Sequence, residues 1–210
     1  MKILHIDCSI RNEYSISRKL SKLMVEQLQN FHEITSVDYL DLSTDSPNHI
    51  TECFIEGVYT VPEERTAEML KELEQSDEYI HRLHDADIYV IGMPMYNFSI
   101  PSNFKAFIDL ITRTGRTFRG TEHGFEGLLV NKKVYVINTR GVDFSNEIIA
   151  SFDHLQPYLK SIFRFIGLTD VHFVNVFPVK WGNKEKLESA IYKAEQEIAE
   201  AAHNLLLLQI

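Results

Sequence analysis

Two kinds of apolar pattern alternate along the chain. Residues 2–7 form a short β-rich run that ends at the small polar pair Cys8 and Ser9. From Ser15 onward, Ile16, Leu20, Leu23, Met24 and Leu28 recur at helical spacing, which predicts an amphipathic helix opened by a serine cap. Residues 34–42 alternate apolar and polar, as a half-exposed strand near a sheet edge does. Residues 87–92 and 133–139 are apolar on both faces, the mark of parallel strands covered on both sides. Residues 171–177 make a fifth strand. Helical patterns fill 63–85, 103–113, 154–166 and 184–208, and Gly167 suits a C-terminal cap. Residues 43–62 have turn residues and no period, so they read as a long loop with at most a helical turn. Residues 114–131 carry four glycines and read as irregular.

Strand and helix alternate throughout, which implies a parallel sheet with helices on both faces. Five strands suit a flavodoxin-like doubly wound sheet of order 2-1-3-4-5, with a ligand at the carboxyl ends of the strands near the switch point. No repeat, linker or low-complexity tract interrupts the 210 residues, so one domain over 1–210 is expected.

Composition narrows the partners. The formal net charge is −9, which disfavours a nucleic-acid partner. An anionic cofactor would therefore need local donors. Cys8 and Cys53 have no paired spacing and suit a reducing compartment. The first apolar run is too short for a signal peptide, and no run approaches the ~20 apolar residues of a membrane span. The expectation is a cytoplasmic protein with no membrane partner.

The fold says where to look for chemistry: the loops after strands one, three and four. The first holds Ser9, Ser15, Ile16 and Ser17 and runs into a helix N-terminus, where free N–H groups and the helix dipole favour an anion. It lacks the glycine pattern of a P-loop or a dinucleotide fold. Taken alone, this loop fits a monophosphate cradle and a plain serine cap about equally. The second loop is Pro94, Met95, Tyr96, Asn97, Phe98, Ser99, Ile100 and Pro101. Its mixture of apolar, aromatic and amide groups suits a flavin ring with apolar faces and a polar edge. On composition alone, a tight turn with two half-buried aromatics is somewhat favoured. The third loop is Thr139, Arg140, Gly141 and Val142, where a glycine permits close approach and an arginine serves either a ligand or a carboxylate neighbour.

Cys8 invites comparison with low-molecular-weight tyrosine phosphatases, whose nucleophilic cysteine precedes an arginine by six positions. Here that position is Tyr14, so the phosphate would lose its bidentate partner and Cys8 reads as a small buried residue. His81 and His84 stand three apart on a helix with no evident third ligand, and a solvated helix face is the stronger reading. His5 reads as a satisfied core residue. The apolar 205–208 run reads as core or subunit contact.

Taken together, the three loops resemble the FMN-dependent NADH-azoreductases, also described as NADH:quinone oxidoreductases. The likeness runs collinearly through Pro94, Met95, Tyr96, Asn97, Phe98, Ile100, Pro101, Phe104, Lys105, Asp109, Gly115, Thr117, Phe118, Gly124, Glu126, Gly127, Leu128, Lys132, Lys133, Thr139, Arg140 and Gly141, and returns at residues 165–170. It implies a single FMN-binding flavodoxin-like domain, a homodimer, NADH as donor and ping-pong transfer of two electrons to quinones or azo compounds. By position, Ser9, Ser15, Ile16 and Ser17 would hold the phosphate. Pro94, Met95, Tyr96, Asn97 and Phe98 would hold the isoalloxazine, flanked by Thr139, Arg140, Gly141 and Val142. No side chain is nominated as catalytic, because the chemistry would lie at flavin N5. Val142 stands where the family commonly has a second glycine, and Arg119 and Gly120 where an aromatic often follows. Other possibilities are a flavodoxin-like electron carrier without its own substrate and a non-catalytic binding protein. The long loops at 43–62 and 114–131 argue against the carrier, since they have the length to build a substrate pocket.

Overall fold

The computed structural model describes residues 1–205. The chain runs β1 (Lys2–Asp7), α1 (Ile16–Phe31), β2 (Ser36–Asp41), α2 (Glu52–Tyr59), α3 (Ala67–Asp85) and β3 (Ile88–Pro94). It continues through α4 (Ser102–Ile111), the hairpin β4 (Phe118–Thr121) and β5 (Gly124–Gly127), and β6 (Lys133–Thr139). The last elements are α5 (Glu147–Ala150), α6 (Leu155–Ile166), β7 (Asp170–Val176) and α7 (Lys184–Asn204). Five strands make one parallel sheet in the order β2-β1-β3-β6-β7. In the order in which the sheet strands occur along the chain this is 2-1-3-4-5, as the alternation predicts.

Strand alternation divides the interior into two cores. Ile3, Ile88, Val90, Tyr135, Ile137, Val174 and Val176 pack with apolar residues of α1 and α7 on one face. Leu4, Ile6, Tyr89, Ile91, Met93, Val134 and Val136 pack with α3, α4 and α6 on the other. β3 is buried along its whole length, whereas β2 is largely exposed and forms an edge. Side-chain caps start five helices: Ser15, Thr51, Thr66, Asn146 and Asn183 each accept an N–H from the first turn. Gly167 closes α6 in the left-handed region, at φ 102°, which an L side chain adopts only under strain.

Three expectations change. Residues 43–62 contain a full helix, α2, capped by Thr51. Its eight residues are too few to show a period, and only Phe54 and Gly57 are buried. Residues 114–131 hold the β4–β5 hairpin, whose exposed strands have no apolar alternation to betray them. Phe118 and Phe125 fold this hairpin against Phe165 of α6, with ring centroids 4.6 and 5.4 Å away. The helix expected over 63–85 starts at Ala67, after a 3₁₀ turn at Pro62–Glu64. The last three residues of the helix expected over 184–208, within the apolar 205–208 run, lie outside the described residues, whereas Leu205 is buried.

A polar cluster ties β1 to α1. His5 is buried as expected, with Nε2 2.9 Å from Ser21 Oγ, and Ser21 donates to Asp7 Oδ1 at 2.9 Å. Tyr39 donates to Asp7 Oδ2 at 3.0 Å. Asp7 and Ser21 occupy the space where a side chain on Gly92 of β3 would stand. Gly92→Ala is therefore expected to overpack a buried hydrogen-bonded pair and cost about 2 kcal/mol or more of unfolding free energy. Urea unfolding checks this, and a change under about 0.5 kcal/mol would contradict it.

Candidate cofactor-binding site

β3, β6 and β7 end at one level, Pro94 paired with Thr139 and Thr139 with Val176, and β1 stops two residues earlier, where Asp7 pairs with Gly92. Parallel strands all point one way, so their following loops meet on one edge. A cleft of about 560 Å³ lies there. That volume is within the ordinary range of a small-molecule cofactor site.

One wall is the loop after β1 and the start of α1, with Ser9, Arg11, Tyr14, Ser15 and Ile16. Ser15 Oγ accepts the N–H of Arg18 and lies 3.0 Å from Ser17 Oγ, while among the described residues no hydrogen bond engages the N–H of Ile16 or Ser17. The first turn of α1 has no acidic residue, unlike those of α2, α3 and α7. Two open N–H groups, two hydroxyls and the positive end of a 16-residue helix make a ready site for an anion.

Arg18 fixes this wall from behind. It binds both oxygens of Asp41 at 2.7 and 2.6 Å and donates to the Ser9 carbonyl at 2.6 Å. These bonds, above all to Asp41, hold the guanidinium pKa above its usual value. Burial pushes Asp41 up, but Arg18 and Ser43 outweigh that and leave its carboxyl lowered. The Arg18 charge is thus spent on a carboxylate and steadies the loop. Burial drives the Cys8 thiol pKa well up, so the sulfur behind this wall is a packed thiol rather than a nucleophile.

The floor is the turn after β3. Tyr96 and Ser99 exchange both backbone hydrogen bonds, at 3.1 and 3.0 Å, around Asn97 and Phe98. Both central residues have positive φ, 48° and 67°. Asparagine tolerates this region, whereas phenylalanine is held there at a cost of about 1–2 kcal/mol. Tyr96 Oη reaches back to the Ile10 N–H at 3.4 Å, and the Met95 N–H bonds the Thr139 carbonyl at 2.8 Å, so the turn is braced on two sides. Pro94 and Met95 present apolar surface, and the Asn97 amide makes no hydrogen bond among the described residues. An apolar floor beside an unused amide matches a planar heterocycle with a polar edge.

The far wall joins the loops after β6 and β7. Thr139 and Gly141 line it together with Val179, Lys180 and Trp181. Of the sequence-selected residues, Ser9, Ser15, Ile16, Pro94, Met95, Tyr96, Asn97, Thr139 and Gly141 are brought together on the cleft. Ser17, Phe98, Arg140 and Val142 are not on its surface. Ser17 is buried behind Ser15, and Phe98 stacks on Phe152 at 5.3 Å. Arg140 points away, its Nη2 within 2.9 Å of Asp153, 3.1 Å of Asn175 and 3.3 Å of Gln156. Its guanidinium sits 4.8 Å from the Phe144 ring. Burial lowers its pKa, partly offset by Asp153. Arg140 thus takes the carboxylate-neighbour role and clasps the start of α6 to β7.

Sequence reasoning missed Arg11, Tyr14 and the whole Val179–Lys180–Trp181 segment. The signal was available: the logic that selects the loops after strands one, three and four applies equally to the loop after strand five. The 43–62 and 114–131 segments contribute nothing to the cleft of their own chain. His49 instead lines a neighbouring cavity of about 720 Å³ that shares Tyr96 and Asn97 with it.

Residues 1–202 match a family model described as flavodoxin-like fold. An FMN-dependent NADH:quinone oxidoreductase of Nostoc punctiforme is 42% identical over 184 residues, covering 87% of this chain and 90% of the relative. An azoreductase from Bacillus anthracis superposes with a TM-score of 0.89 at 27% identity, over 97% of this chain and 99% of its own. An FMN-dependent NADH-azoreductase from Bacillus anthracis, solved in complex with FMN, superposes with a TM-score of 0.83 at 26% identity, over 96% and 99%.

Removing Arg140 leaves Asp153, whose side chain is only 16% exposed, without its charge partner, though it keeps the N–H groups of Leu155 and Gln156. Arg140→Ala is expected to cost about 3 kcal/mol of stability, and Arg140→Met with Asp153→Leu to recover at least half of it. Chemical unfolding of both variants is the check, and equal losses would contradict the pairing.

Proposed function

This chain belongs to the flavodoxin-like fold family, and from that premise we propose that it is an FMN-dependent NADH:quinone oxidoreductase with azoreductase activity. The observation that carries the reading is the pairing, in one cleft, of an unneutralised α1 N-terminus with an apolar floor edged by a free amide. The first suits a phosphate, the second a flavin ring, and FMN contains both. A plain electron carrier is the weaker alternative, since the relatives' names specify a donor and an acceptor.

The residues divide the work by chemistry. The N–H groups at the start of α1, with the Ser9 and Ser15 hydroxyls, would hold the phosphate end, and the Ser17 hydroxyl would steady Ser15 from behind. Pro94, Met95, Tyr96, Asn97 and Phe98 would set the plane of the ring, Asn97 by hydrogen bonding and Phe98 by anchoring the turn on Phe152. Thr139 and Gly141 would face its other edge, while Arg140 and Val142 would support that loop from outside. FMN held there would supply the two-electron chemistry between NADH and a quinone or azo compound. The protein's part is to orient the ring, keep one side open to substrates and hold water off the other. No side-chain acid or nucleophile is assigned. Donor and acceptor would use the same opening in turn, which gives ping-pong kinetics.

The functional unit in this reading is a homodimer of single FMN-binding domains spanning 1–210, located in the cytoplasm. The exposed Phe98–Phe152 pair at the turn after β3, and the open cavity beside Tyr96, support a subunit contact there. Among the described residues no helix is long and apolar enough to cross a membrane.

The purified protein is expected to be yellow, to bleach with NADH without oxygen, and to regain colour on adding benzoquinone. Steady-state rates should give parallel double-reciprocal lines. Colourless protein that cannot be reconstituted with FMN would overturn the reading.

A further inference from the structure

The segment after β7 is the part of the cleft wall that the proposed cofactor contacts leave unexplained. Its backbone is fixed: the Val179 N–H bonds the Arg140 carbonyl at 2.9 Å, and the N–H groups of Lys180 and Trp181 both bond the Gly141 carbonyl, at 3.1 and 2.8 Å. On this rigid support stands an indole that is 68% exposed. It lies against Gly141, close enough that an added Cβ would be in van der Waals contact with Trp181 Cδ1 at 3.4 Å. Such an exposed aromatic adds little to folding. Beside it, the Lys180 ammonium is 5.2 Å from the ring centroid and makes no ion pair among the described residues.

Charge on the cleft runs against charge on the chain. The net charge is −9, yet the cleft wall carries Arg11 and Lys180 and no carboxylate. Arg11 stands at the α1 end. Lys180 stands on the far wall, its backbone held by the Gly141 loop that follows β6. The α1 end already offers the phosphate its own donors, which leaves Lys180 without an assigned partner.

We propose that Lys180 and Trp181 form a recognition lip for a planar aromatic substrate that carries an anionic group, with the ring stacked on the indole and the charge paired with the ammonium. This rests on the oxidoreductase reading and adds a substrate preference to it. Two sources share the chemistry: an acidic quinone or azo acceptor, and the nicotinamide dinucleotide itself.

The FMN-loaded enzyme separates them. Wild type, Lys180→Ala and Lys180→Arg are compared with uncharged benzoquinone and with naphthoquinone sulfonate, at varied NADH. If the acceptor is the anion recognised, Lys180→Ala lowers the sulfonate-to-benzoquinone ratio of kcat/KM about tenfold and Lys180→Arg restores it. If NADH is, its KM rises about tenfold and that ratio stays put. A change under twofold in both overturns the proposal. Trp181 is the sole tryptophan, so its fluorescence reads binding without turnover. Naphthoquinone sulfonate should quench it saturably in the oxidised enzyme, and more weakly in Lys180→Ala. Quenching that never saturates, or is the same in both, counts against the lip. Wild-type enzyme that fails to turn over NADH with benzoquinone sinks the enzyme reading instead, and the fluorescence titration still decides the lip.

Discussion

Everything in this structure follows from parallel strands whose carboxyl ends share one edge. Because β1, β3, β6 and β7 point the same way, with β3, β6 and β7 ending level and β1 two residues earlier, segments far apart in sequence are delivered to one edge. Close packing below keeps the register fixed. Gly92 admits Asp7 and Ser21 between β1, β3 and α1, and both cores interlock with alternate residues of the same strands. A slip of one residue would turn each strand's two faces over, which neither core tolerates.

The site spends its charges unevenly. Arg18 and Arg140 lie next to the cleft, yet Arg18 is committed to Asp41 and the Ser9 carbonyl, and Arg140 to Asp153 and the amide oxygens of Gln156 and Asn175. What is left for a ligand is backbone N–H, serine hydroxyls, one amide, and the Arg11 and Lys180 side chains at the two ends. An anion is thus met mainly by fixed dipoles, which need no reorganisation on binding. The strained Asn97–Phe98 turn fits the same scheme, being held by hydrogen bonds on one side and by Phe152 on the other.

The legible parts of the sequence were those with a period and a cap. Fully apolar runs identified β3 and β6, Ser15 identified the start of α1, and Gly167 the end of α6. The α2 helix and the β4–β5 hairpin were hidden because short, exposed elements carry no apolar period. At the site, backbone position was readable but side-chain direction was not. Ser15, Tyr96 and Asn97 face the cleft as expected, while Arg140 turns to Asp153, a partner 13 residues later that only the fold brings near. Val142 likewise falls outside the cleft surface. Trp181 escaped notice because no motif surrounds it; topology alone marks its loop.

The most direct test of the central claim is an equilibrium titration of the flavin-free protein with FMN and, separately, with riboflavin, which keeps the ring and lacks the phosphate. A phosphate seated on the α1 N-terminus by several charge-assisted hydrogen bonds should make FMN bind at least ~100-fold more tightly. Equal affinity for the two would mean that the end of α1 holds no phosphate, and that the strand ends do not form the cradle described.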